Sequence, residues 1–282
     1  MIRRLLVGLG GTPFTEVAIQ RAVELACAHG AHVTGVTVVD EKELLKIGPV
    51  PAGGSVYAQR MRDQRLEVSR ERVDASVDRF EEICTRFEAA CTRQGISHSV
   101  EREAGDPFAL MISHARYHDL TIFGLRSLFD YGLTPEPNDA LVRLVAGGVR
   151  PIVAVSPIYR EVRKALIAYS GSMESAKAMR RFVQMRLWPE VELEIVHFSN
   201  SASEAKPLLS AAADYCRAHG YRADTVWIDA DARTETLAYA KRSEADIVVM
   251  GNSVRSLLMR KLIGDTVLHT IQNADRPLFL SQ

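Results

Sequence analysis

The sequence predicts an α/β protein built from two tandem domains, each a five-stranded, mainly parallel sheet with helices on both faces. Three observations predict it. Short apolar runs alternate with segments of helical periodicity along the chain, the pattern that a parallel sheet wrapped by helices imposes. The central runs are apolar throughout rather than alternating, as strands buried on both faces are. The chain also repeats itself: Leu5-Leu-Val-Gly-Leu-Gly-Gly-Thr12 is matched by Ala165-Leu-Ile-Ala-Tyr-Ser-Gly-Ser172, Asp119-Leu-Thr-Ile-Phe-Gly124 by Asp246-Ile-Val-Val-Met-Gly251, and Arg150-Pro-Ile-Val-Ala-Val-Ser156 by Arg276-Pro-Leu-Phe-Leu-Ser281. The first pair is displaced by 160 residues and the other two by 127 and 126. The repeating unit is therefore a whole domain, and the first copy carries an extra segment of 33 residues.

In the first copy, strands are expected near 3–9, 32–39, 97–103, 119–124 and 151–155. Val17-Ala-Ile-Gln-Arg-Ala-Val-Glu-Leu-Ala26 has the 3.6-residue spacing of a helix between the first two. The extra segment falls mainly in 40–94. Gly48-Pro-Val-Pro-Ala-Gly-Gly54 is loop, and 59–94 reads as one long charged amphipathic helix with Leu66, Val73, Val77, Phe80, Ile83 and Phe87 on its apolar side. That helix covers the sheet or overhangs it to meet a partner. Gly105-Asp106-Pro107 opens the next helix, with Asp as cap and Pro in the first turn. In the second copy, strands are expected near 164–170, 191–198, 222–228, 246–250 and 277–281. Thr12 and Ser172 stand where they would cap the helix after each first strand. The domains divide as 1–157 and 158–282, at Ser156-Pro-Ile-Tyr-Arg160, a junction too short for a loose tether.

Composition excludes several classes. Hydrophobic residues make up 47% and charged residues 25% of the 282, an ordinary globular balance. Lys plus Arg number 35 and Asp plus Glu 35, so the formal charge is zero and no basic excess invites nucleic acid. No apolar run approaches the roughly 18 residues that span a bilayer. The apolar start Leu5-Leu-Val-Gly8 is too short for a signal peptide and reads as a strand, which leads to the expectation of a cytoplasmic protein without membrane contact. Cys27, Cys84, Cys91 and Cys216 form no Cys-x-x-Cys pair and read as buried free thiols.

Candidate chemistry is sparse. His114 and His118 are four apart but lack a third metal ligand, and read as a solvated helix end. Ser170-Gly171-Ser172 is not a nucleophile elbow, because the flanking Gly-x-Ser-x-Gly pattern is absent. His197 ends the second strand of the second copy, at the border of the crevice that a doubly wound sheet opens where strand order switches. No acid–base pair and no Gly-x-Gly-x-x-Gly fingerprint is present.

The strand–Gly–hydroxyl turns at 5–12 and 165–172, the strand ending Val38-Val39-Asp40, Gly105-Asp-Pro107, and the stretch from Gly251 through Gly264 to Arg276-Pro277 resemble the universal stress protein family in its tandem form. The resemblance implies flavodoxin-like (Rossmann-like) domains that pair through their last strands into an intramolecular pseudo-dimer, with room for a further homodimer. In the nucleotide-binding branch, Gly-x2-Gly-x9-Gly-Ser/Thr cradles the triphosphate and an Asp ending the first strand holds the nucleoside. In the second copy Gly251 and Gly264 match. Val254 replaces the second Gly, Asp265 takes the Ser/Thr position with Thr266 after it, and Ser170 takes the Asp position. In the first copy Gly124 matches, Ser127 replaces the second Gly, Asn138-Asp139 stand for Gly-Ser/Thr with one residue inserted, and Gly10 takes the Asp position. A carboxylate about 4 Å from phosphate costs on the order of 1–4 kcal/mol. These departures weigh against ATP, and Mg enters only if ATP binds. Arg255, Ser256 and Lys261 offset part of the charge.

The candidate contacts are Ser170, Gly171, His197, Gly251, Asn252, Arg255, Ser256, Gly264, Asp265 and Thr266. The leading expectation is a non-enzymatic stress-response module that binds a nucleotide or another small ligand through degenerate ATP motifs. The alternatives are a weak ATP hydrolase in the second copy and a scaffold that docks an unidentified protein partner.

Overall fold

The computed structural model describes residues 2–40, 56–126, 129, 140–149, 151–251 and 265–281. The first copy runs β1 (Arg4–Gly8), α1 (Thr15–His29), β2 (His32–Val39), α2 (Val56–Arg93), β3 (His98–Ala104), α3 (Pro107–Ala115), β4 (Leu120–Gly124), α4 (Ala140–Ala146) and β5 (Ile152–Val155). The second runs β6 (Lys164–Ala168), α5 (Met173–Met185), β7 (Glu192–Phe198), α6 (Ala202–Ala218), β8 (Ala223–Ile228), α7 (Ala232–Arg242), β9 (Ile247–Gly251), α8 (Asp265–Asn273) and β10 (Leu278–Ser281).

All ten strands form one sheet in the order β3-β2-β1-β4-β5-β10-β9-β6-β7-β8. Every pairing is parallel except that of β5 with β10, where Leu278 faces Ala154, Phe279 faces Val153 and Leu280 faces Ile152. Both strands are buried, and but for Ser281 at the end of β10 they are apolar, so each copy needs the other to cover its last edge. The expected last-strand pairing is what joins the copies. Helices pack in pairs on the sheet, α1 with α2 and α3 with α4 in the first copy, α5 with α6 and α7 with α8 in the second.

The junction carries a polar knot. Arg21 of α1 is fully buried, pairs with Glu24 and donates to the Arg160 carbonyl. Its guanidinium lies 4.8 Å from the Tyr159 ring centroid and 5.3 Å from that of Trp188. Glu24 also accepts from Trp188 Nε1 at 2.8 Å and from the Tyr159 hydroxyl at 3.0 Å. A buried cation is tolerated because it is paired and bonded. These bonds tie a helix of the first copy to the linker and to the second copy.

Several local expectations need correction. Leu66 and Val77 are 36% and 39% exposed, so of the expected apolar positions of α2 Phe80, Ile83 and Phe87 enter the core and Val73 packs against it half-buried. Ser172 caps α5 by accepting from Ser175 N, but Thr12 does not cap α1. An extra turn intervenes: the Thr12 hydroxyl accepts from Phe14 N, and Thr15 Oγ1 accepts from Thr12 N. His118 lies beyond the end of α3 and is half-buried rather than solvated. Cys27 is exposed, whereas burial pushes the thiols of Cys84 and Cys91 up to about 11 and that of Cys216 up to about 12. Asp106 caps α3, accepting from Phe108 N and Ala109 N, with Pro107 in the first turn. The expected loop at 48–54 lies outside the described residues.

Candidate functional site

Strand order reverses direction at β1–β4 in the first copy and at β6–β9 in the second. At such a point the connections leaving two neighbouring strands go opposite ways and open a crevice at their carboxyl ends. The two crevices differ.

In the second copy a cavity of about 140 Å³ opens there. It is lined by Ala168 at the end of β6, Tyr169 and Ser170 after it, Met250 and Gly251 at the end of β9, and Phe198, Ala232, Thr236, Thr266 and Val267. Engineered apolar cavities near 150 Å³ take one benzene-sized ring. Ser172 and Ser175 line the rim at the start of α5. Three hydroxyls converge: Ser170 Oγ lies 3.0 Å from Ser172 Oγ and 3.3 Å from Ser175 Oγ, and Ser175 Oγ donates to the Ser172 carbonyl at 2.9 Å. Gly171 bends the chain between them with φ of 74°, a left-handed turn that glycine takes without strain. Gly251 is required by close approach: a Cβ there would sit 2.3 Å from the Glu174 carbonyl oxygen. That glycine lets β9 touch the first turn of α5.

Of the residues singled out in the sequence, Ser170, Gly251 and Thr266 line this cavity. Gly171 forms its turn, and Asp265 begins α8 on the exposed side. His197 is not in the lining. It is 6% exposed and its Nδ1 donates to the Tyr169 carbonyl at 2.8 Å, which pins the end of β7 to the end of β6. Asn252, Val254, Arg255, Ser256, Lys261 and Gly264 lie outside the described residues, as do Ser127, Asn138 and Asp139 in the first copy. Sequence reasoning missed Ser175, Phe198, Ala232 and Thr236. Ser175 was within reach, three residues beyond the cap at Ser172. Ala232 and Thr236 were not, because nothing in the primary sequence relates α7 to the end of β6.

In the first copy the long helix packs around the corresponding first-strand turn. Gly11, just past β1, has Ile83, Arg79 and Phe80 of α2 within 3.2–3.5 Å of where a Cβ would stand. Phe80 meets Phe129, beyond β4, edge-on at 6.2 Å. Phe80, Ile83 and Phe129 are 2%, 1% and 6% exposed, and Phe14 packs onto Gly124 with Phe14 Cβ 2.6 Å from an added Cβ. Among the described residues, α2 thus sets its own buried side chains against the end of β1.

The fold and this site define a tandem doubly wound α/β protein with a cavity at the strand-end crevice of its second copy. The universal stress protein family matches residues 1–126 and 200–281, and the chain belongs to that family. A universal stress protein from Archaeoglobus fulgidus DSM 4304 is similar along 100% of this chain and 96% of its own, with 18% identity and a TM-score of 0.61. One from Pseudomonas aeruginosa UCBPP-PA14, described as putative by its solvers, covers 99% and 93% at 14% identity and 0.60. A protein of unknown function from Pseudomonas aeruginosa PAO1 covers 99% and 92% at 14% identity and 0.59. At these identities the likeness is one of fold. No curated protein matches the sequence. Among the described residues no helix is long and apolar enough to cross a membrane.

Proposed function

We propose that this chain is a non-enzymatic regulatory module of the stress response that binds one small ligand, of the nucleotide class, in the crevice of its second copy. The observation that carries the reading is the asymmetry of the two crevices. The second holds a cavity lined by hydroxyls and apolar side chains, while beside the corresponding turn of the first Phe80 and Ile83 are buried, with Phe129 against Phe80. Such a lining suits a planar ring with a few hydrogen-bonding edges. The described lining residues include no carboxylate, imidazole or amine that would serve as an acid or base, which favours binding over turnover. Ser170 in place of the family's Asp, and Asp265 in place of its Ser/Thr, favour a ligand with less phosphate than ATP.

Nucleotide released from the freshly purified, denatured protein is read by anion-exchange chromatography, followed by calorimetry with AMP and with Mg-ATP. The expected result is one site per chain, with AMP bound at least as tightly as ATP. Ala232→Trp, which fills the cavity, should remove binding by more than about 100-fold while leaving the circular dichroism unchanged. No bound nucleotide, together with no heat from either compound at millimolar concentration, would sink the reading.

A further inference from the structure

Away from both crevices, at the amino ends of β1, β2 and β3, four side chains form a continuous hydrogen-bonded chain under the end of α3. His32 Nε2 lies 3.1 Å from Ser99 Oγ, Ser99 Oγ donates to Thr34 Oγ1 at 3.4 Å, and Thr34 Oγ1 lies 3.0 Å from His118 Nε2. The ends are tied as well. His118 Nδ1 lies 2.7 Å from the His114 carbonyl, and His32 Nδ1 lies 2.8 Å from Ser97 Oγ.

The geometry assigns the protons. A carbonyl only accepts, so His118 carries a hydrogen on Nδ1, and in the neutral ring Nε2 accepts from the Thr34 hydroxyl. Thr34 accepts in turn from Ser99, and Ser99 from His32 Nε2–H. In this direction each group donates once and His118 is neutral. We propose that this chain is an acid-sensitive latch: neutral His118 holds the turn after α3, residues 116–119, against β2, and a second proton on its ring releases that turn.

The physical reason lies in what surrounds the ring. Its only free proton site, Nε2, points at a hydroxyl that is itself a donor. Accommodating the proton would force the whole chain to reverse: Thr34, 3% exposed, would have to donate to Ser99 against the Ser99-to-Thr34 direction the hydroxyls take, and His32 would have to move its hydrogen from Nε2 to Nδ1. Such a concerted change in a part-buried chain is costly. The neighbouring charges do not help. Arg4 on β1, His32 on β2 and His114 on α3 all disfavour a positive ring. Glu103 on β3 lies against His114 at 3.2 Å, and the Asp119 carboxylate accepts from Arg3 N and Arg4 N. His98 on β3 faces His32, Arg116 shares a surface cleft with His118, and Arg143 of α4 lies over the Phe108 ring. Burial, and then Arg4, hold His118 below the usual imidazole range. The latch therefore contributes fully above the unfolded imidazole value of about 6.5 and is lost as pH falls below it through the lower folded value.

The second copy supplies an internal control. Register places Lys164 where Arg4 stands, Glu192 for His32, Glu194 for Thr34 and Asp224 for Ser99. Ala245 stands at the His118 position. Lys164 Nζ pairs with Glu194 Oε2 at 2.7 Å, with no imidazole in the pair.

Hydrogen exchange of the full chain, corrected for intrinsic rates, is compared at pH 7.5 and 5.5 for residues 107–119 and 232–245. The expected result is a loss of protection in 107–119 roughly tenfold greater than in 232–245, absent in His118→Gln and in Thr34→Val. Parallel loss in both segments, or a wild-type pH response retained in His118→Gln, overturns the latch. Should the variants not fold, the imidazole proton resonances of the wild-type chain decide. His118 titrating below 6.5, with the exchange midpoint following it, supports the proposal, and titration at or above that value refutes it.

Discussion

The two crevices sit at equivalent switch points of one continuous sheet, yet different side chains pack at their first-strand turns. The difference lies in the long α2, which passes over the carboxyl end of β1 and sets Phe80 and Ile83 beside Gly11. The second copy has a shorter helix, α6, in the matching place, and its first-strand turn meets Leu208 instead, 2.8 Å from a Cβ added at Gly171. Among the described residues the first turn is packed by buried aromatic and aliphatic side chains, while the second borders a cavity. A turn packed by phenylalanines contributes stability that a cavity does not.

That contrast can be broken by mutation, and the largest effect should come from Phe80→Ala. Removing a fully buried aromatic ring should cost about 3–5 kcal/mol in urea unfolding, whereas Phe198→Ala, beside the open cavity, should cost clearly less. Equal losses would mean that the first turn is not packed as a core. A comparable loss, about 3 kcal/mol, is expected for Glu24→Gln, because the buried Arg21 cation would lose its partner at the junction of the two copies. If the copies then unfold in two separate transitions, the knot at Arg21 is what makes them one cooperative unit. Smaller still is the cap: Ser172→Ala should cost about 1 kcal/mol and loosen the hydroxyl cluster, which would be read as weaker ligand binding with little change in the first copy. The slightest perturbation is chemical. At pH 8 a thiol reagent should label Cys27 alone in the native chain, because Cys84, Cys91 and Cys216 are buried with their thiols held near 11 to 12. Rapid labelling of Cys84 or Cys91 would show that α2 opens readily and exposes the packing at the first turn.

Much of the fold was legible beforehand. The ten strands fall within about two residues of the expected positions; the inner ones do so because a doubly buried strand leaves a nearly unbroken hydrophobic signature, whereas the edge strands β3 and β8 carry polar residues and are only partly buried. The long helix was legible for the same kind of reason, although its periodicity did not reveal that Leu66 and Val77 would face outwards. The site was less legible. Ser170, Gly251 and Thr266 were found through the resemblance, because they stand at or beside positions of the nucleotide-binding motif, and all three line the cavity. His197 was drawn in by its place at a strand end, but alternation along β7 turns its side chain away from the cavity while Phe198 faces in.

The sequence by itself determined the tandem α/β class, the order of elements, the caps at Asp106 and Ser172, and the apolar last strands that need a partner, since all of these rest on local periodicity and turn chemistry. Only the tertiary structure decided which side chains pack at each crevice, that Arg21 is buried at the junction, and that His32, Thr34, Ser99 and His118 meet in one chain. Those outcomes depend on side chains from elements far apart along the chain, and their mutual distances are set by sheet order and helix packing rather than by any pattern of neighbours.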